Sequence, residues 1–392
     1  MNLVAEIVAL CIYGPGLVLL HEAGHAALAR RGGYRVTSFG VGLGPPLWSV
    51  YLRDGVVLHF DRWLLAGGAC TAIPLGPQTP RRAWFHGGGL LVQAALAVVL
   101  LLLPDVWLVE RIESFNLLVA ATNLVPWRFG AQASDGWHLL DAFTGGKRAG
   151  SVLGQRASLE RTRDREVAVD SPVGRTYCDV CLAWSEVQLG RPELADELLA
   201  ERGPDATREP WVDALFHVVS AEVHRARGCP LPALRTVREA QAIEGLDDDA
   251  RALLDLAEAR TLIDVGAPEQ AAPVLARLAG ASGQLALQAA AVLLLASLDD
   301  PTDELELAAW RVVRRVHDAW LDPVDTVAIL RLASTELNAR GRRPAAASAS
   351  TAARELLGAV LRRLPPDEAA RVQLRVDPLL LTDEAGEGVT TR

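Results

Sequence analysis

Three apolar runs dominate the first 130 residues, and their lengths suggest membrane helices. The first extends from Leu3 to Leu20, the second from Gly87 to about Val109, and the third from Ile112 to Trp127. A helix needs about 20 apolar residues to cross a bilayer, so the third run is short. A short run is tolerated where the chain breaks at membrane depth beside a polar cavity. We therefore expect a core of three transmembrane helices.

The segment between the first two runs, Tyr34 to Pro80, has the composition of strands and turns. Two short strand patterns, Trp48–Leu52 and Val56–Phe60, are separated by Arg53-Asp54-Gly55, a turn signal. This predicts a small β-sheet or hairpin that lies against the membrane. An open strand edge there could pair with an extended substrate, as in strand addition. Alternatively, the hairpin only fills the space between the helices.

The distribution of basic residues predicts the orientation of the helices. No Lys or Arg precedes Arg30, which follows the first run together with Arg31. A secretory signal peptide carries basic residues before its apolar region, so an uncleaved transmembrane helix fits better. The positive-inside rule then places the N-terminus outside a bacterial-type cell membrane and residues 128–392 in the cytoplasm.

The C-terminal half contains an internal repeat. Residues 146–170 are charged and predict a solvated linker. Gly-x-Pro then recurs every 38 residues, at Gly190, Gly228 and Gly266, with alanines at fixed distances on both sides. This pattern predicts helix–turn–helix units and resembles tetratricopeptide repeats, whose usual period is about 34. We expect four or five helical hairpins over 171–364, stacked as a solenoid that binds a partner. The alternative is a plain helical domain that only stabilises the chain. Residues 365–392 have the composition of a disordered tail.

Charge and cysteine content exclude some functions. The net charge is −9, so bulk attraction to nucleic acid is not expected. The five cysteines are scattered and do not form a disulfide framework. Cys178 and Cys181 form a CxxC without a second pair at suitable spacing, so we interpret them as small residues on a buried helix face rather than a redox or zinc site.

The most informative motif ends the first apolar run: His21-Glu22-Ala23-Gly24-His25, an HExxH sequence. On a helix, residues i and i+4 share a face, so His21 and His25 can bind one zinc ion, with Glu22 beside it to accept a proton. A catalytic zinc site usually has three protein ligands. Asp135 is a candidate third ligand, because the proposed topology places it at the same membrane depth as the histidines.

Three motifs together resemble the site-2 protease family of intramembrane zinc metalloproteases. They are HEAGH at 21–25, Phe39-Gly-Val-Gly-Leu-Gly-Pro-Pro at 39–46, and Asn123-Leu-Val-Pro126 followed by Asp135-Gly136. The resemblance covers roughly residues 1–145. It implies a single zinc ion per chain, held by His21, His25 and Asp135. It also implies Glu22 as general acid and base, and an extended, membrane-anchored protein substrate held near Asn123.

This sequence departs from the family pattern in two places. Eight residues, Trp127 to Ser134, separate the Pro from Asp135-Gly136, where much of the family has only a few. His138, three residues further on, is an alternative ligand, and Asp135 is preferred on the family pattern alone. In addition, the start of the second run lacks the Pro of a Gly-Pro-x-x-Asn pattern, and Gln93 stands where the Asn is expected.

The sequence therefore predicts a mainly α protein in four parts. These are a membrane-embedded zinc metalloprotease core over 1–145, a linker over 146–170, a repeat domain over 171–364 that recruits substrate or a cytoplasmic partner, and the tail. The alternatives are a catalytically inactive membrane scaffold that binds a partner through the repeats, and a soluble or peripheral zinc peptidase.

Overall fold

The structure, a computed structural model, divides the chain into two compact units. The first comprises 1–148 with 157–178, and the second comprises 149–156 with 179–392. The structure describes residues 3–52, 55–74, 80–104, 106–129, 132–143, 152–200, 209–279, 323–339, 341–362 and 364–380. The protein is mainly helical with a small four-stranded sheet.

The first unit contains helices α1 (Leu3–Leu28), α2 (Ala83–Leu101), α3 (Trp107–Leu124) and α4 (Asp135–Phe143). The second apolar run therefore does not continue as one helix to Val109. Pro104 lies between α2 and α3, and a proline ends a helix because it lacks an N–H donor. Among the described helices, α2 is the one that is long and apolar enough to cross a membrane, so the three-helix membrane core is not confirmed.

The sequence predicted a small β-sheet or hairpin, and the structure contains a four-stranded sheet. Its strands are β1 (Tyr34–Val41), β2 (Pro46–Tyr51), β3 (Val57–Asp61) and β4 (Gly68–Pro74), in the order β2-β3-β1-β4. The predicted hairpin is confirmed, because β2 and β3 pair antiparallel; Arg53 and Asp54 in its turn lie outside the described residues. Strand β1 pairs parallel with β3 and antiparallel with β4, so β2 and β4 are the edges.

The charged segment that predicted a solvated linker forms helix α5 (Val152–Ala168) instead. Its charges have partners on the sheet: Arg165 Nη2 lies 2.9 Å from Asp61 Oδ2, and Glu166 Oε1 accepts a 2.6 Å hydrogen bond from Ser38 Oγ. Glu166, Ser38 and Asp61 are all buried. The linker prediction was wrong because these charges are held in a polar network rather than in water.

The described part of the second unit consists of helices, and several sequential pairs pack against each other. Gly190, Gly228 and Gly266 adopt φ of +73°, +71° and +79° in turns between helices, where the repeat predicted turns, and Gly341 adopts φ of +73° in a further turn. The repeated positions Ala233 and Ala271 are fully buried. Helical hairpins therefore form here, but a tetratricopeptide-like solenoid is not confirmed. The helices are α6 (Pro172–Gln188), α7 (Pro192–Ala200), α8 (Pro210–Ala226), α9 (Pro230–Ala240), α10 (Asp248–Asp264), α11 (Pro268–Ala279), α12 (Pro323–Ala339) and α13 (Arg343–Leu361).

The predicted disordered tail contains a further helix, α14 (Pro366–Leu380). Val372 is completely buried in a cluster of apolar side chains, and Glu368 Oε1 lies 2.7 Å from Arg156 Nη1. The prediction of disorder was therefore wrong for 366–380, because an apolar contact and an ion pair hold this helix. Residues 381–392 lie outside the described part of the chain.

Candidate metal centre

The two histidines of the HExxH motif lie side by side near the end of α1. His21, Glu22 and His25 are buried, with 4%, 8% and 5% of their surfaces exposed. The Nε2 atoms of His21 and His25 are 3.0 Å apart, as the i, i+4 spacing on a helix requires. Two imidazole nitrogens thus converge on one point in a buried environment.

A third potential ligand arrives from the first residue of α4. Asp135 Oδ2 lies 3.0 Å from His21 Nε2 and 3.2 Å from His25 Nε2. Asp135 Oδ2 is buried and accepts no hydrogen bond from any described residue, as a free ligand atom would. Tetrahedral zinc with bonds of about 2.0 Å needs ligand atoms about 3.3 Å apart. These two nitrogens and one carboxylate therefore fit a zinc ion in both chemistry and spacing.

The other ring nitrogen of each histidine is held by a neighbour. His25 Nδ1 lies 2.7 Å from the backbone oxygen of Phe85, and His21 Nδ1 lies 3.0 Å from Gln93 Oε1. A backbone carbonyl only accepts hydrogen bonds, so His25 Nδ1 carries a proton and its Nε2 is the ligand atom. Such outer hydrogen bonds fix the ring orientation of metal-binding histidines.

Three glycines create the space for this arrangement. A Cβ added at Gly24 would lie 2.5 Å from the oxygen of Gly88, and one added at Gly88 would lie 2.3 Å from the oxygen of Gly24, so α1 and α2 cross in direct backbone contact. A Cβ added at Gly89 would lie 2.4 Å from the ring of His21. Gly24, Gly88 and Gly89 therefore allow α2 to approach the histidines.

The eight residues that separate Pro126 from Asp135 include a two-stranded hairpin, whose turn at residues 130 and 131 lies outside the described residues. Strands β5 (Arg128–Phe129) and β6 (Gln132–Ala133) pair antiparallel. At its base, Ser134 N donates to the oxygen of Trp127 over 3.1 Å, and Ser134 Oγ donates to the oxygen of Val125 over 2.7 Å. The insertion therefore lengthens the chain without moving its two ends apart.

Two residues that the sequence analysis did not single out help to hold α4. Ser134 Oγ accepts a hydrogen bond from Trp137 N over 3.2 Å, as a helix N-cap does; a Ser directly before Asp-Gly was a signal for this. Arg82 Nη2 lies 2.9 Å from Asp141 Oδ2, and both side chains are buried. This ion pair joins the start of α2 to the helix that carries Asp135, and nothing in the local sequence indicates it.

The other two residues that the sequence analysis proposed for the site, His138 and Asn123, do not belong to the group formed by His21, His25 and Asp135. The ring of His138 stacks on His86, with centroids 4.4 Å apart and planes 13° apart. The group whose ligand atoms all lie within 4.8 Å of one another consists of His21, His25 and Asp135, and does not include His138. The amide of Asn123 donates to the oxygen of Val119 on its own helix.

Comparison with known proteins identifies the first part of the chain. Residues 7–109 match the family model of Peptidase family M50, a region that contains the HExxH motif, the sheet and α2 but ends before Asp135. No curated protein and no solved structure matches the chain. The match confirms the resemblance to the site-2 protease family over residues 7–109, which are similar to a family of membrane metalloproteases.

Proposed function

We propose that this protein is an intramembrane zinc endopeptidase that cleaves a membrane-anchored protein near the cytoplasmic face. The observation that carries the proposal is the convergence of His21 and His25 on α1 with Asp135 on α4, with ligand-atom distances of 3.0–3.2 Å. Glu22 is buried next to this group in the part of the chain that matches Peptidase family M50.

The roles of the residues follow from their atoms. His21 Nε2, His25 Nε2 and the Asp135 carboxylate would hold one zinc ion, which supplies a Lewis acid and lowers the pKa of bound water to about 7. Glu22 accepts the proton of the attacking water and delivers it to the nitrogen of the leaving amine.

A membrane location is supported by the apolar side chains that the first unit exposes. Large apolar residues of α1, α2 and α3 are exposed, among them Ile12 at 75% and Leu101 at 69%. Soluble proteins rarely expose apolar surface of this extent. At about 1.5 Å per residue, the 26 residues of α1 reach about 39 Å, longer than a hydrocarbon layer of about 30 Å.

One end of the sheet supports the same conclusion. Leu43 and Trp63 pair through their backbones there, and their side chains are 40% and 65% exposed. Leu65, 55% exposed, lies against α1, because a Cβ added at Gly14 would be 3.3 Å from Leu65 Cδ2. Gly14 precedes His21 by about two helical turns. We therefore propose that this end of the sheet reaches into the bilayer, on the side of the metal site towards the N-terminus.

The edge strand β4 is our proposed docking place for the substrate. A Cβ added at Gly68, the first residue of β4, would lie 2.8 Å from Glu22 Cγ. An extended peptide that pairs with this edge would therefore run past Glu22. Asn123 would bind the same peptide, with its side chain turning from its contact with Val119 towards the substrate.

For the second unit we propose a recruiting role. With the N-terminus outside, the helical hairpins lie in the cytoplasm and bind the substrate or a partner protein. The alternative is a catalytically inactive scaffold that uses these hairpins alone. Retention of Glu22 favours the enzyme, because a scaffold has no use for a proton acceptor beside the metal ligands.

A reconstituted cleavage assay tests the proposal. The purified protein would be placed in liposomes with a panel of single-span model substrates whose spans contain helix-breaking residues, and the products would be identified by mass spectrometry. We expect cleavage near the cytoplasmic end of the span, lost on zinc chelation and restored by zinc. Cleavage that persists without metal would overturn the mechanism, and a zinc-loaded protein that cleaves none of the panel would favour the scaffold.

A pair of substitutions tests the third ligand. We expect Asp135→Ala to lose both zinc and cleavage, whereas His138→Ala retains zinc, because its ring stacks on His86. The reverse result, with zinc lost in His138→Ala and kept in Asp135→Ala, would identify His138 as the ligand instead.

A further inference from the structure

We propose that Gln93 and Asn116 act in series to position His21 for zinc: Asn116 sets the orientation of the Gln93 amide, and that amide selects the ring nitrogen of His21 that binds metal. This inference rests on the proposed zinc site and assigns a positioning role to two residues outside the ligand group. They lie on α2 and α3, the helices that follow the sheet.

Both amides are completely buried in the apolar interior of the first unit, with 0% of their surfaces exposed. Asn116 is the one residue of α3 described as buried. Burying an amide without compensating hydrogen bonds costs several kcal/mol in an apolar medium. Two such groups between neighbouring helices therefore need a reason beyond packing.

The contacts join the two amides to the metal site. Asn116 Nδ2 donates to the backbone oxygen of Gln93 over 3.0 Å, and Gln93 Oε1 lies 3.0 Å from His21 Nδ1. Because the backbone oxygen only accepts, the nitrogen of Asn116 must face it, and the orientation of Asn116 is thereby fixed. Asn116 Oδ1 is left as an acceptor inside the protein.

The orientation of Gln93 follows from the two atoms that remain. Gln93 Nε2 and Asn116 Oδ1 are both buried and make no hydrogen bond to any described residue. One is a donor and the other an acceptor, so a water that bridges them would satisfy both. With Nε2 turned towards Asn116, Gln93 presents Oε1 to His21.

The consequence for His21 is a fixed tautomer. Gln93 Oε1 only accepts, so His21 Nδ1 carries the proton and Nε2 keeps the lone pair that faces His25 and Asp135. If the Gln93 amide were reversed, its NH₂ group would favour a proton on Nε2 and oppose metal binding. Partners of this kind typically change metal affinity by about 10- to 100-fold.

The test measures zinc affinity in the full-length, detergent-purified protein by competition with a chelator of known affinity. We expect Gln93→Leu to weaken zinc binding by about 10- to 100-fold. Gln93→Glu should keep the wild-type affinity or exceed it, because a carboxylate also accepts from Nδ1. Ser114→Ala, which removes an exposed hydroxyl of α3 that bonds to its own helix, serves as the control and should change nothing.

A double substitution separates positioning from simple packing. Asn116→Leu should weaken zinc binding in the wild-type background but have little effect beside Gln93→Glu, since a carboxylate has no amide orientation to be set. The loss of folding stability should be similar in both backgrounds, because both lose the bond to the Gln93 backbone. Equal zinc losses in both backgrounds, or a folded Gln93→Leu with wild-type affinity, would overturn the inference. A wild-type protein without any zinc affinity would instead overturn the proposed function.

Discussion

The glycines beside the metal site in the first unit and the glycines between helices in the second unit serve different purposes. In the first, glycines bring atoms together: a Cβ at Gly24, Gly88 or Gly89 would lie within 2.3–2.5 Å of another helix or of the His21 ring. In the second, Gly228 and Gly266 turn the chain, with φ of +71° and +79° and no atom of the described residues within 4 Å of an added Cβ. The first use depends on a partner distant in sequence, whereas the second depends only on the local backbone.

This difference predicts how each unit responds to substitution. Where a glycine makes room for the ring of a metal-binding histidine, replacing it with alanine should weaken zinc binding more than it lowers the free energy of unfolding. Where a glycine only permits a turn, the same methyl group should cost folding stability and leave the metal site intact.

The largest effect is expected at Glu22, where the chemistry is concentrated. Glu22→Gln should retain zinc but lower the rate of cleavage by about 10²- to 10⁴-fold, because the amide cannot accept the proton. Zinc content and cleavage are measured on the same preparation. Glu110→Gln, the same change at an exposed position of α3, is the control; Glu22→Gln with wild-type activity would exclude Glu22 as the base.

The next effect concerns the buried ion pair that holds α4. Arg82→Met leaves the Asp141 carboxylate without this partner and should lower the free energy of unfolding by about 3 kcal/mol, with weaker zinc binding as Asp135 loses its anchor. The adjacent Arg81→Met removes the same charge from an exposed side chain and should change stability by less than about 0.5 kcal/mol. Similar losses in both variants would show that the pair does not position α4.

A matched pair on α2 tests the use of glycine for space. Gly89→Ala should weaken zinc binding by about tenfold, because its Cβ would lie 2.4 Å from the His21 ring. Gly87→Ala meets only Leu139, at 3.7 Å, and should leave zinc binding unchanged while favouring the helix. Chelator competition measures both; unchanged affinity in Gly89→Ala would mean that His21 has room to move.

The smallest effect is expected in the second unit. Gly266→Ala should lower the free energy of unfolding by about 1 kcal/mol, because φ of +79° disfavours residues with a Cβ. Gly266→Asn should cost less, since Asn tolerates this conformation. Chemical denaturation measures stability, and zinc content should stay at the wild-type value; a zinc loss in Gly266→Ala would break the distinction between the units.

The sequence predicted correctly those features that depend only on residues close together in the chain. The pairing of His21 with His25 follows from the pitch of one helix, and the turns at Gly228 and Gly266 follow from residues next to them. Pro104 was also a local signal that a helix ends, but the sequence prediction followed the apolar residues and extended the second run to about Val109.

Features that depend on distant partners were missed, or were expected only from the proposed topology and the family resemblance. The charges of α5 predicted a linker because Ser38 and Asp61, which bind Glu166 and Arg165, lie far away in sequence. The approach of Asp135 to the histidines depends on the closed base of the inserted hairpin, which spacing alone does not reveal. Gln93 stood where an Asn was expected, and its contact with His21 appears only when α1 and α2 are brought together.

The central claim is that His21, His25 and Asp135 bind zinc, and elemental analysis of the detergent-purified protein tests it most directly. Wild type and His21→Ala would be compared at equal protein concentration. The account predicts about one zinc per wild-type chain, in the occupancy expected of a catalytic site, and its loss in His21→Ala. A folded wild-type protein that contains no zinc, even after zinc is offered, would contradict it.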